Sequence, residues 1–185
     1  MAEPRIINGV NVTELFNTVD AARKSPVIAK FKFSAANRWI KGGLNRTTIT
    51  HFHGAQQDHR HATAFELDAD EPVLLLGEDR APNPVEYLLT ALAACVTTSI
   101  VYHAAAKGIA LKSVESRLEG DIDLQGFLGL SPEVPRGYRE IRMRFKIDAD
   151  APPEKLEEIL RLGPTFSPVF DTITRAVPVT VALER

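Results

Sequence analysis

Between Tyr87 and Ala106 the chain runs for twenty residues without a fixed charge, and no other feature limits its fold as tightly. Asn83 ahead of this run suits a helix N-cap, Pro84 suits the first helical position, and Glu86 stands three residues after the cap, as a capping box requires. Gly108 supplies the stop. The pattern predicts one helix from Asn83 to Gly108. A stretch this long raises a membrane span as an alternative. Yet only six of the twenty residues are large aliphatics (Leu88, Leu89, Leu92, Val96, Ile100 and Val101), and Thr90, Thr97, Thr98, Ser99 and His103 dilute them. At 100° per residue the six spread widely around the wheel, and a helix apolar on most faces is a buried one. The prediction is therefore the central helix of a water-soluble core, about 36 Å long. A chain of 185 residues has little left to cover it on every side. Ala91, Ala93 and Ala94 permit close approach by a neighbouring helix, so a second copy of the chain, in a two-fold homodimer, is expected to cover the remaining face.

The flanking segments have strand or short-helix periods. Leu15, Phe16, Val19 and Ala22 fall at helical spacing over Val12 to Arg23. Ala29, Phe31 and Phe33 alternate with Lys30 and Lys32, a half-buried strand. Turn residues follow at Lys41 to Asn45, then β segments over Arg46 to Phe52, Ala62 to Leu67 and Pro72 to Leu76. Beyond the central helix, Val114 to Ile122 and Ile141 to Ile147 alternate as two long strands, joined by a Pro- and Gly-bearing stretch from Gly126 to Gly137. A helix is expected from about Pro152 to Leu162, stopped by Gly163-Pro164, then a helical turn opened by Ser167-Pro168 and a last strand over Val177 to Leu183. This order reads as α+β with mainly antiparallel pairing, residues 1–26 forming a helical extension to a domain over residues 27–185.

Composition narrows the function classes. Twenty-two Lys and Arg against twenty-four Asp and Glu leave a net charge of −2, without the basic excess of a nucleic-acid binder or a polybasic membrane arm. The single cysteine, Cys95, excludes an intramolecular disulfide and every CxxC metal or redox motif. The first residues carry no basic and apolar leader pattern, so a cytoplasmic location is expected. Gly-rich phosphate loops, GxSxG and HExxH are all absent, and no cofactor is called for.

Chemistry is then left to a few residues. Cys95, mid-helix, is either a small buried hydrophobe or a thiol activated by a cation from elsewhere in the fold or from the other subunit. His51, His53, His59 and His61 form two i, i+2 pairs that a hairpin could gather into a metal site, although the turn-like residues between them suggest a solvated loop. His103 lies two turns from Cys95, too far for a catalytic dyad.

The run Asn83-Pro84-Val85-Glu86-Tyr87-Leu88-Leu89-Thr90-Ala91-Leu92-Ala93-Ala94-Cys95 resembles the signature helix of the OsmC/Ohr superfamily, the osmotically inducible and organic hydroperoxide resistance proteins. The element order from the N-terminal hairpin to the closing Pro-Val-Thr-Val strand is similar as well. The resemblance implies an OsmC-like fold, with antiparallel sheets around a long buried central helix, in an intertwined homodimer with its sites at the subunit interface. It implies that Cys95 reduces an organic hydroperoxide and that an arginine of the N-terminal hairpin activates it; Arg46 and Arg38 both lie in that region, with Arg46 preferred. Two positions depart from the pattern. Ser167 stands where a resolving cysteine is expected, so turnover calls for an external thiol reductant. Val85 stands where a glutamate is expected, and Glu86, nine residues before Cys95, is on the opposite helix face and reads as the capping-box acid. The expected activity is a thiol-dependent hydroperoxide reductase. The alternative is a non-catalytic dimeric module that binds a small hydrophobic molecule at the subunit interface, with Cys95 in its wall.

Overall fold

The computed structural model describes residues 4–184. In chain order these form β1 (Ile6–Ile7), β2 (Val10–Asn11), α1 (Val12–Lys24), β3 (Lys32–Phe33), β4 (Ala36–Lys41), β5 (Leu44–Gly54), β6 (Gln57–Ala69), α2 (Pro84–Ala106), β7 (Leu111–Asp121), α3 (Leu124–Phe127), β8 (Glu140–Ala149), α4 (Pro153–Thr165) and α5 (Pro168–Thr174). The class is α+β with antiparallel sheets, as the sequence predicts. The chain divides into two compact units, one over Asn11–Leu88 and one made of Ile6–Val10 with the residues from Leu89 onward.

The first unit opens with α1, capped by the Asn11 side chain, which accepts the Glu14 N–H. Pro26 then forces a 3-10 turn over Pro26–Ala29, so the strand expected from Ala29 shrinks to β3. Strand β5 is the centre of the sheet: β6 lies along one side, and β4 and β3 share the other. The segment Ala36–Lys41, not read as a strand from sequence, forms a hairpin with β5 through the Gly42-Gly43 turn. The histidine stretch is no loop. Strands β5 and β6 run on to a two-residue turn at Ala55-Gln56, both at positive φ, the backbone that matches the twist of a tight hairpin.

The expected strand at Pro72 to Leu76 is instead a 3-10 turn over Val73–Leu75, with Val73, Leu74 and Leu76 facing water. The cause is Asp70. Its buried carboxylate accepts the backbone N–H of Glu71, Glu78 and Arg80, which draws residues 70–80 into a closed loop. Burial alone would push this carboxyl up, but the three N–H bonds and Arg80 more than offset it and hold it below the usual range. Gly77 sits so close that a Cβ there would lie 1.8 Å from the Glu71 carbonyl oxygen.

The second unit is built on α2 from Leu89 onward. Along it Leu92, Val96, Ile100 and Ala104, each four residues after the last, form one buried stripe. Against that stripe pack Ile159 of α4 and the inward faces of the β7–β8 hairpin, among them Val114, Leu118, Met143 and Phe145. Off this stripe Ala105 is also buried, while Tyr102 is 47% exposed. Asn8, at positive φ, clamps the exit of α2 by donating to the Ile109 carbonyl and accepting the Leu111 N–H. Helix α4 runs past the expected stop and takes Gly163 and Pro164 into its last turn. The alternating segment Val177 to Leu183 forms no strand, and Val179, Val181 and Leu183 are more than four-fifths exposed. Alternation selects a face, but a strand also needs an edge, and among the described residues none pairs with it.

Candidate functional site

Cys95 occupies the middle of α2 and is half-buried, one position off the buried stripe that Leu92 and Val96 hold. The helix reaches it because its start is fixed as the sequence predicts. The Asn83 carboxamide oxygen accepts the N–H groups of Val85 and Glu86 at 3.0 and 3.1 Å, and the Glu86 carboxylate accepts the Asn83 N–H at 2.8 Å. Glu86 is thus the acid of a capping box. The same Asn83 donates to Glu71, and the Tyr87 hydroxyl donates to the Asp68 carbonyl at 2.6 Å, tying the helix entrance to the Asp70 loop and to β6.

One turn beyond Cys95, the Ser99 hydroxyl donates to the Phe166 carbonyl at 3.3 Å, and a further turn on the His103 ring packs 4.4 Å from the Phe166 ring. Burial, with Lys107 nearby, lowers the His103 pKa and favours the neutral imidazole. Ser167 follows, 1% exposed, its Oγ accepting the Phe170 N–H at 3.1 Å as the N-cap of α5. This makes a short polar seam along α2, Cys95 to Ser99 to His103, with the link between α4 and α5 laid against its far end. Ser99 is a helical-wheel neighbour of Cys95 in the sequence, whereas Phe166 carries no signal there beyond its place beside Ser167.

The two arginines of the hairpin lie in the first unit and face each other across β4 and β5. Like charges directly opposite repel, and β6 supplies the counter-charge. Asp68 is the register partner of Arg46 on that side; its carboxylate accepts from Nε at 2.6 Å and from Nη2 at 2.9 Å, and Glu66 accepts from Nη1 at 3.2 Å. The hydrogen bond and charge of Asp68, with Glu66, drive the Arg46 pKa further up, and Arg46 in turn holds Asp68 below the usual carboxylate range. Arg38 is exposed and, among the described residues, makes no ion pair. Cys95 and these arginines belong to separate units.

The hairpin does not gather the four histidines. Its register pairs Phe33 with Phe52 and Phe52 with His59, while Lys32 pairs with His53 and His53 with Asp58. Successive residues face opposite sides, so His51 and His53 share one face, and His59 and His61 the other. There the last two join a ladder of rings: Phe52 lies 4.9 Å from His59 and 5.5 Å from His61, which lies 4.9 Å from Phe65. His53 is bonded to Asp58 at 2.8 Å. A metal held by all four is ruled out by the register.

Comparison with known proteins adds three findings. The family model described as OsmC-like protein matches residues 77–182. Among solved structures, an OsmC-like protein from Mycoplasma pneumoniae superposes with a TM-score of 0.59 at 17% identity, over 77% of this chain and 87% of the other. An organic hydroperoxide resistance protein from Legionella pneumophila gives 0.53 at 18% identity, over 76% and 89%. An OsmC-like protein of unknown function from Vibrio cholerae gives 0.54 at 12%, over 76% and 92%. At these identities the likeness is one of fold. No curated protein matches the sequence.

Proposed function

The chain belongs to the OsmC-like protein family, and from that premise we propose that it serves peroxide-stress defence in the cytoplasm as a homodimer, reducing organic hydroperoxides with Cys95 as its single redox residue. The observation that carries the reading is the setting of Cys95. The only thiol of the chain stands on the family-matched helix, outside the stripe that packs the core and half-open to a ligand.

The Cys95 thiolate attacks the distal oxygen of a hydroperoxide ROOH. An S–O bond forms as the O–O bond breaks, and the electron pair leaves with the alkoxide, which takes a proton to become ROH. Cys95 is left as the sulfenic acid. Two external thiols then close the cycle. The first condenses with the sulfenic acid, releasing water and giving a mixed disulfide; the second displaces Cys95 as thiolate. An external reductant is required because Ser167 has no thiol and spends its hydroxyl oxygen on the cap of α5.

Attack needs thiolate, which a neighbouring cation stabilises. The arginine pair on the hairpin is the proposed source, with Arg46 anchored by Asp68 and Arg38 exposed and, among the described residues, in no ion pair. The homodimer is supported by the faces of α2 that the single chain leaves open, with Leu88 37% and Tyr102 47% exposed.

The test is mass spectrometry after stoichiometric cumene hydroperoxide with a sulfenic-acid trap, on wild type, Cys95→Ser, Arg38→Ala and Arg46→Ala. Rapid trapping at Cys95, slowed at least tenfold in one arginine variant, is the expected result. Trapping no faster than for a free thiol would sink the reductase reading. It would leave the second one, a dimeric module holding a small hydrophobic molecule beside Cys95, for which the buried, capping Ser167 already speaks.

A further inference from the structure

The face of the β7–β8 hairpin turned away from the core is a ladder of charges. Its inward residues, Val114, Leu118, Ile141, Met143 and Phe145, pack on α2 and α4, so Glu115, Arg117, Glu119, Arg142, Arg144 and Lys146 point the other way. Register sets Glu115 opposite Lys146 and Glu119 opposite Arg142, both favourable. Between them Arg117 stands directly opposite Arg144. The chain makes this unfavourable pairing twice. In the other case, Arg38 and Arg46, a third strand brings Asp68 and Glu66 to the pair. Strands β7 and β8 form a two-stranded sheet, with no third strand among the described residues to supply a carboxylate.

Three of the nearby acids are drawn to Arg142, and a fourth, Glu115, stands opposite Lys146. Arg142 draws in Glu119 at 2.9 Å, Asp121 at 2.5 Å and Glu140 at 2.7 Å, and that bonding holds the Glu119 and Asp121 carboxyls low, with the charge of Arg144 adding to the effect on Glu119. Among the described residues, no carboxylate forms an ion pair with Arg117 or Arg144. These two arginines line a groove together with Arg142 and Glu119, over the strand at Leu118. The Glu119 carboxylate on its rim limits the affinity for an anion, and its bond to Arg142 offsets part of that charge.

We propose that this groove is a phosphate site. A dianionic phosphate, free or as a monoester, accepts hydrogen bonds from both guanidinium groups at once and supplies the counter-charge that β6 supplies to the other arginine pair. A monocarboxylate has two oxygens, which one arginine fork already satisfies.

The experiment is thermal unfolding and amide chemical-shift titration of the full chain with inorganic phosphate, with phenyl phosphate as the monoester and with acetate, all at constant ionic strength. Wild type, Arg117→Gln, Arg144→Gln and Arg144→Glu are compared; both positions are exposed, so folding is retained. Saturable shifts along β7 and β8 are expected with phosphate, weakened at least tenfold by either glutamine. Tighter binding of phenyl phosphate would identify a monoester as the ligand, and equal or weaker binding would identify free phosphate. Arg144→Glu, which places a carboxylate opposite Arg117, is expected to melt above wild type without phosphate and to gain nothing from it. Equal responses in wild type and the glutamine variants, or an Arg144→Glu protein no more stable than wild type, would overturn the proposal.

Discussion

Gly163→Ala places one methyl group where helices α4 and α2 touch. A Cβ at Gly163 would lie 2.6 Å from Ile100 Cγ1, 3.1 Å from Ile100 Cδ1 and 3.1 Å from Val96 Cγ1. Both neighbours are 1% exposed or less, so neither can swing into solvent. Taken alone, glycine to alanine inside a helix stabilises by about 1 kcal/mol. Overpacking a close contact costs roughly 1–3 kcal/mol. The following Pro164 adds to the cost, because it disfavours helical backbone at any preceding residue that carries a Cβ. The net expectation is a loss of about 1–2 kcal/mol, read as a lower midpoint in urea at an unchanged slope. Ile100→Ala alone should cost about 2–5 kcal/mol, and the double variant should cost at least about 1 kcal/mol less than the sum, because the methyl group added at position 163 occupies space that the Ile100 side chain vacates. The same contact holds the end of α4 where the Phe166 carbonyl meets Ser99, so Gly163→Ala should also weaken the seam beside Cys95. If Gly163→Ala raises stability by the full helix-propensity gain, or the two changes are additive, the close approach does not govern this packing.

Ser167→Cys should convert the outcome of peroxide treatment: in place of a trapped sulfenic acid, one intramolecular disulfide to Cys95, seen as a mass about 2 Da below the reduced protein, at a stability cost of about 1 kcal/mol for the lost cap of α5. Only sulfenic acid or intermolecular dimers would contradict it. His103→Phe keeps a ring against Phe166 but cannot titrate. Because burial first, and Lys107 second, lower the folded pKa of His103 from its ordinary 6.5, the unfolded chain binds the proton more readily, and wild-type stability is lost as pH falls below about 6.5. Denaturant midpoints between pH 7.5 and 5.5 should fall less for His103→Phe than for wild type, and equal slopes would refute the assignment.

Legibility from sequence followed the range of the interaction. The capping box of Asn83 and Glu86, the cap at Ser167 and the alternation of β7 and β8 depend on residues close in the chain or on a simple period, and their bonds match the sequence reading. The errors lie where a distant partner decides. Pro72 to Leu76 carries an apolar run fit for a strand, but the Asp70 carboxylate bonds to backbone N–H groups up to ten residues away and closes the segment into a loop. The four histidines read as a solvated loop because the turn-like residues between them were visible, whereas the pairing of Phe52 with His59, which makes the stretch two strands and divides the rings between two faces, was not. Val177 to Leu183 has the pattern of a strand and, among the described residues, no edge to complete it. Arg38 and Arg46 show the same limit at the proposed site: their types and places in the hairpin were legible, while the carboxylates that anchor Arg46 come from β6, twenty or more residues later. For this chain, local bonds set the start of the helix that carries the thiol, and strand register decides which hairpin arginine the β6 carboxylates anchor.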